Sequence, residues 1–98
     1  MIKVNLPAHL RELARIDGLV YLQVSSPVSV STVLNELEAK YPMLKGTIRD
    51  QNTYERRPFI RYFACGEDLS LDDTDNPLSD AVVNGIEVLR IVGAMAGG

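Results

Sequence analysis

The sequence predicts an α+β fold: a small mixed sheet of four to five strands with one main helix laid over one face. Three observations predict it. Short stretches near both ends alternate apolar and polar residues, the period of a half-buried strand. One longer central stretch carries its apolar residues at helical spacing. Turn-forming residues punctuate the chain between them. At 98 residues the chain is one domain, long enough to bury a core without disulfides or metal.

The elements follow in order. Ile2, Val4 and Leu6 alternate with Lys3 and Asn5, so a strand opens the chain and Pro7 ends it. Residues 8–14 carry Leu10 and Leu13 and predict a short turn over the core. Asp17-Gly18 is a turn signal, and Leu19 to Val24 is a second strand paired with the first. Ser29 is the expected N-cap of the helix, its hydroxyl placed to take an orphan backbone N–H of the first turn. Val30, Val33, Leu34, Leu37 and Tyr41 form one apolar stripe, while Asn35, Glu36, Glu38 and Lys40 fall largely on the wet side. Pro42 stops the helix near Tyr41. A helical turn with Ile48 inward is expected over residues 44–50, followed by a polar loop to Arg57. Phe59 to Cys65 is the strongest strand. Gly66-Glu67-Asp68 is read as its turn, Leu69-Ser70-Leu71 as a short strand, and residues 72–77 as an acidic loop with Leu78 and Val82 tucked in behind it. Asn84-Gly85 reads as a tight turn before the last strand, which ends at Val92. One helix with one apolar stripe must cover one face of the sheet, which makes a ubiquitin-like β-grasp arrangement.

Formal charge is −3 and the pI about 5.0. That balance argues against a nucleic-acid or anionic-membrane partner and suits a basic or mixed protein surface. A single cysteine allows no internal disulfide, consistent with a reducing cytoplasm. The N-terminal stretch is too short and too alternating for a signal peptide, and no run approaches a membrane span.

The chain closes on Ala96-Gly97-Gly98, directly after the last strand. Residues 1–92 are therefore read as the folded domain and 93–98 as a flexible arm of small residues. Six residues reach about 20 Å. Glycine lacks Cβ, so such an arm can enter a narrow channel and present the Gly98 carboxylate to another active site. Strand alternation supplies a docking face. Ile60, Tyr62 and Ala64 share one side of their strand and Phe59, Arg61, Phe63 and Cys65 the other. With the helix over Ile60 and Leu89, the side chains of Phe63, Arg61, Arg90 and Val92 face outward, and aromatics beside arginines are typical interface anchors.

Other residues point less far. His9 is the sole histidine and reads as a solvated turn residue, and Cys65 as a structural residue ending a strand. Asp72, Asp73 and Asp75 lack the glycine and distal glutamate of a calcium loop. Lys45-Gly46-Thr47 lacks phosphate-loop glycine spacing. Glu67 and Asp68 serve the hairpin. No nucleophile–base pair or metal cluster is visible, so no catalytic residue and no metal is assigned to the chain itself.

Residues 29–42 resemble the helix of the MoaD/ThiS family of small sulfur carriers. Arg57 to Asp68, Arg-Pro-Phe-Ile-Arg-Tyr-Phe-Ala-Cys-Gly-Glu-Asp, is similar to that family's central strand and following turn, and Ala96-Gly97-Gly98 to its C-terminus. The chain departs from the pattern at Cys65, at Gly93 where many members have proline, and at Asn84-Gly85. The resemblance implies that a ubiquitin-activating-type adenylating enzyme joins the Gly98 carboxylate to AMP from ATP. A sulfur donor then converts it to a thiocarboxylate, and a sulfur-accepting synthase takes the sulfur. Met95, Ala96 and Gly97 belong to the tail that would enter the partner's channel, with Met95 as an adaptable contact inside it. No cofactor would be bound stably, ATP being used by the partner, and some members are trimmed by a processing protease. Two further readings share the same residues: a ubiquitin-like modifier conjugated through Gly98 to lysines, and a non-catalytic interaction module indifferent to Gly97 and Gly98.

Overall fold

The computed structural model describes residues 1–93. Gly98, Gly97, Ala96, Met95 and Ala94, and the expectations that fall on them, lie outside the described residues. The elements are β1 (Ile2–Asn5), α1 (Ala8–Ala14), β2 (Val20–Leu22), α2 (Val30–Lys40), β3 (Ile60–Ala64), β4 (Glu67–Asp68), α3 (Asp80–Val83) and β5 (Leu89–Gly93). They form one five-stranded sheet in the order β2-β1-β5-β3-β4. β1 and β5 run parallel at its centre and the other pairs are antiparallel. This is the ubiquitin-like β-grasp, an α+β fold.

The inward residues of the strands, among them Ile2, Val4, Val20, Leu22, Ile60, Tyr62, Leu89 and Ile91, join Val30, Val33, Leu34 and Leu37 of α2 in one buried core. The start of α2 is locked by a capping box, in which two orphan donors are satisfied reciprocally. The Ser29 hydroxyl accepts the Thr32 N–H at 3.2 Å, and the Thr32 hydroxyl accepts the Ser29 N–H at 2.9 Å.

Several details differ from the sequence reading. Residues 8–14 form a helix instead of a turn, and Leu13 is exposed while Leu10 and Ala14 are buried. The β3–β4 turn is Cys65-Gly66, not Gly66-Glu67-Asp68. Both turn residues have positive φ, 54° and 76°. That is the requirement of a two-residue type I′ connection, so Glu67 and Asp68 become the returning strand. Leu69-Ser70-Leu71 is not a strand. The helical turn expected over 44–50 sits earlier, at Pro42–Leu44, with Leu44 and Ile48 buried. Asn84-Gly85 is the expected turn before the last strand, and it closes the short helix α3. Gly85 has φ +76°, and a Cβ there would lie 2.7 Å from the Met1 carbonyl oxygen. Only glycine fits that conformation and that approach. The last strand extends one residue into the expected arm, because Gly93 pairs with Ile60. Glu38, read as solvated, is buried, for a reason given below.

Candidate functional site

The four predicted docking residues lie on the sheet face away from α2, on the neighbouring strands β3 and β5. Register sets them as two cross-strand pairs, Phe63 opposite Arg90 and Arg61 opposite Val92. Arg61 and Arg90 are exposed, and Phe63 and Val92 half-buried. Asn5 of β1 stands beside Arg90, and Asp68 of β4 beside Phe63. Tyr21 and Lys3 continue the same face to the β2 edge. The result is an amphipathic surface with basic groups around an aromatic, on a chain of net charge −3.

The face is tuned by one acidic residue. Asp68 Oδ2 lies 3.5 Å from Arg61 Nη1, an exposed ion pair on this face. Hydrogen bonding from the Ser70 side chain and the Ser70 N–H, with Arg61 a lesser influence, holds the Asp68 carboxyl below the usual carboxylate range. The Ser70 N–H donates to Asp68 Oδ1 at 2.8 Å. Ser70 also accepts the Tyr62 N–H on its hydroxyl at 2.9 Å, so the segment after β4 is pinned to β3 without being a strand.

β5 delivers the chain to Gly93 at the end of this face. A Cβ on Gly93 would lie 2.9 Å from His9 Cε1 and 3.5 Å from Pro7 side-chain carbons. His9 therefore flanks the point where the chain leaves the sheet, a role the sequence reading missed. An open groove of about 300 Å³ lies alongside, lined by residues including Asn5, Pro7, Arg11, Arg90 and Gly93. Arg11 is anchored there, donating to the Leu6 carbonyl at 2.9 Å and to Asn5 Oδ1 at 3.3 Å. The backbone of Phe59, on the other flank, is not in β3. It has φ +71° and the side chain is 71% exposed.

The buried ion pair serves the scaffold. Arg49 donates to both oxygens of Glu38 at 3.0 and 3.1 Å and to Asn35 Oδ1 at 2.6 Å, and its guanidinium carbon lies 4.6 Å from the Tyr54 ring centre. It ties the 46–57 loop to α2 far from the arm's root in sequence. Cys65 is exposed in its turn. Asp73 spends a carboxylate oxygen on the Asp75 N–H at 2.9 Å, shaping its loop. Among the described residues no group of three or more histidine, cysteine, aspartate or glutamate side chains could hold a metal, and no helix is long and apolar enough to cross a membrane. A larger open concavity, beside β2 and α2, presents Glu36 as its one acidic lining side chain.

The chain matches no protein-family model, and no curated protein matches it in sequence. Solved structures do match its fold. SAMP1 from Haloferax volcanii superimposes with a TM-score of 0.75 at 21% identity, over 98% of this chain and 97% of that one. CysO, in the BexX/CysO complex of Amycolatopsis orientalis, gives 0.74 at 19% identity, the whole of both chains being covered. The small archaeal modifier protein 1 of Haloferax volcanii gives 0.73 at 19% identity, over 95% of each chain.

Proposed function

We propose that this chain is a small ubiquitin-like sulfur carrier of the MoaD/ThiS kind, working in the cytoplasm through the carboxylate of Gly98. The observation that carries the reading is the Gly97-Gly98 pair, four and five residues beyond Gly93, the last paired residue of the central β5 strand of a β-grasp. A carboxylate is a poor electrophile. A ubiquitin-activating-type partner transfers AMP from ATP to it, releasing pyrophosphate and leaving a mixed anhydride. Hydrosulfide attacks that carbonyl carbon, AMP departs, and Gly98 carries a thiocarboxylate. A persulfide donor attacks in the same way and leaves an acyl disulfide, which a thiol must reduce to free the thiocarboxylate. A sulfur-accepting synthase then consumes the sulfur. The chain supplies the terminal group and the docking surface, and the acids, bases and ATP site belong to its partners. Phe63, Arg61, Arg90 and Val92 form that surface.

A second reading is favoured by the fold likeness to a small archaeal modifier protein: the same activated Gly98 carbonyl is transferred to a lysine amine. The two readings share the first step and differ in its acceptor.

The shared step is tested by ATP–pyrophosphate exchange with the ubiquitin-activating-type enzyme of the same genome. The chain ending at Gly98 is expected to support exchange. A chain extended past Gly98 does not, because its carboxylate has become an amide. Gly98→Val is slowed sharply, since a β-branched residue widens and stiffens the arm. Equal exchange by the extended chain, or by one lacking Gly97 and Gly98, rejects Gly98 as the activated group, and no exchange by the chain ending at Gly98 rejects the reading in favour of an interaction module.

A further inference from the structure

We infer that Phe59 is the side chain that seats the root of the arm on the apolar mouth of the adenylating partner's channel. This rests on the Gly98 reading above. Three observations converge on it. The register sets Ile60 opposite Gly93, so Phe59 flanks the exit of the chain from the sheet. The side chain is 71% exposed, the highest exposure of any described phenylalanine, tyrosine or methionine. Its backbone lies at φ +71°. In that region a bulky residue is strained and glycine is not. An exposed aromatic on a strained backbone contributes neither burial nor backbone ease to the fold, and strain of this kind clusters at active sites, ligand clamps and switch regions.

The Gly98 reading names the occupant, and the length of the arm sets how near it must come. Five residues follow Gly93 to the end of the chain at Gly98. At about 3.3 Å per extended residue they span roughly 16 Å. A carboxylate that reacts inside another protein therefore draws that protein's surface up to the collar around Gly93. On one side of the collar stand Pro7 and His9, which meet the position a Gly93 Cβ would take. On the other stands Phe59. A partner that must admit a narrow arm and exclude water from an acyl-adenylate needs an apolar seal at the mouth of its channel, and Phe59 provides the matching group. Exposed aromatics of this kind dominate interface energetics.

Steady-state adenylation, followed as pyrophosphate release with the chain as varied substrate, tests the inference beside thermal melting of each variant. Phe59→Gly is expected to raise KM at least about tenfold with kcat within about twofold. Its melting midpoint is expected to hold or rise, because glycine accepts the positive φ. Ile86→Ala, which removes another exposed apolar side chain at the opposite end of β5, is expected to leave KM unchanged. An unchanged KM for Phe59→Gly, with the wild-type chain turning over, overturns the inference alone. So does a large fall in its melting midpoint, which would make Phe59 a fold residue. If the wild-type chain releases no pyrophosphate, the Gly98 reading fails and this inference fails with it.

Discussion

Two ionisable residues show how local chemistry fixes side chains that pattern alone misplaces. Glu38 falls on the wet face of the helical wheel, yet it is buried because Arg49 reaches it from eleven residues away in sequence. A loop residue that folds back onto a helix leaves no periodic signal, so this pair was not legible. Arg49→Leu leaves the Glu38 carboxylate buried without its partner, and the expected loss is about 3–5 kcal/mol by chemical denaturation. Replacing both residues by apolar ones of similar size is expected to recover much of that loss. Asp68 makes the opposite case, exposed but hydrogen-bonded. Its folded pKa is depressed, so it favours the folded state above the ordinary carboxylate pKa, and that contribution is lost as pH falls through the depressed value. In Ser70→Ala the Asp68 carboxyl is expected to titrate at higher pH than in the wild-type chain, as read by carboxyl-carbon NMR. An unchanged titration would show that Ser70 is not its main support.

Among the elements, α2 was the most legible. Its apolar stripe, its Ser29 cap and its stop before Pro42 are all local signals, and the structure places the helix at Val30–Lys40. Leu34 is 1% exposed beneath it. Leu34→Ala is expected to cost about 2–5 kcal/mol through lost burial and the cavity left behind. A melting midpoint unchanged by that substitution would place Leu34 outside the core. The alternation of β3 and β5 was legible too, and with it the face shared by Arg61, Phe63, Arg90 and Val92. β4 and α3 were not. β4 has two residues, Glu67 and Asp68, neither a strand former, and it pairs only because Cys65 and Gly66 both take positive φ. Nothing in a cysteine announces that conformation. α3 has four residues, too few for a period to show, and tertiary contact through Val82 holds it.

At the scale of the whole molecule, the sheet order brings the proposed docking face and Gly93 together. β5 lies between β1 and β3, so the strand that ends at Gly93 also carries Arg90 and Val92. In the proposed function, docking and delivery then belong to one strand, and the five residues after Gly93 set the reach from that face to the Gly98 carboxylate. Arg61→Glu and Phe63→Ala are each expected to weaken binding to the activating enzyme by calorimetry, the aromatic truncation by about 2 kcal/mol, while the fold persists. Unchanged affinity in both would remove this face from the interface. The collar around Gly93 could not be read in the sequence, because β3–β5 register sets Phe59 beside the Ile60–Gly93 pair and the packing of α1 sets His9 against Gly93. The central claim concerns what Gly98 becomes. Intact-protein mass spectrometry reads it directly after incubation with the activating enzyme, ATP and a sulfur donor. The account predicts the mass gained when one oxygen is replaced by sulfur, located on Gly98 by fragmentation and absent without ATP. A chain that never acquires that mass with any activating enzyme of its own genome, or that appears only as a branched Gly98–lysine conjugate, would contradict it.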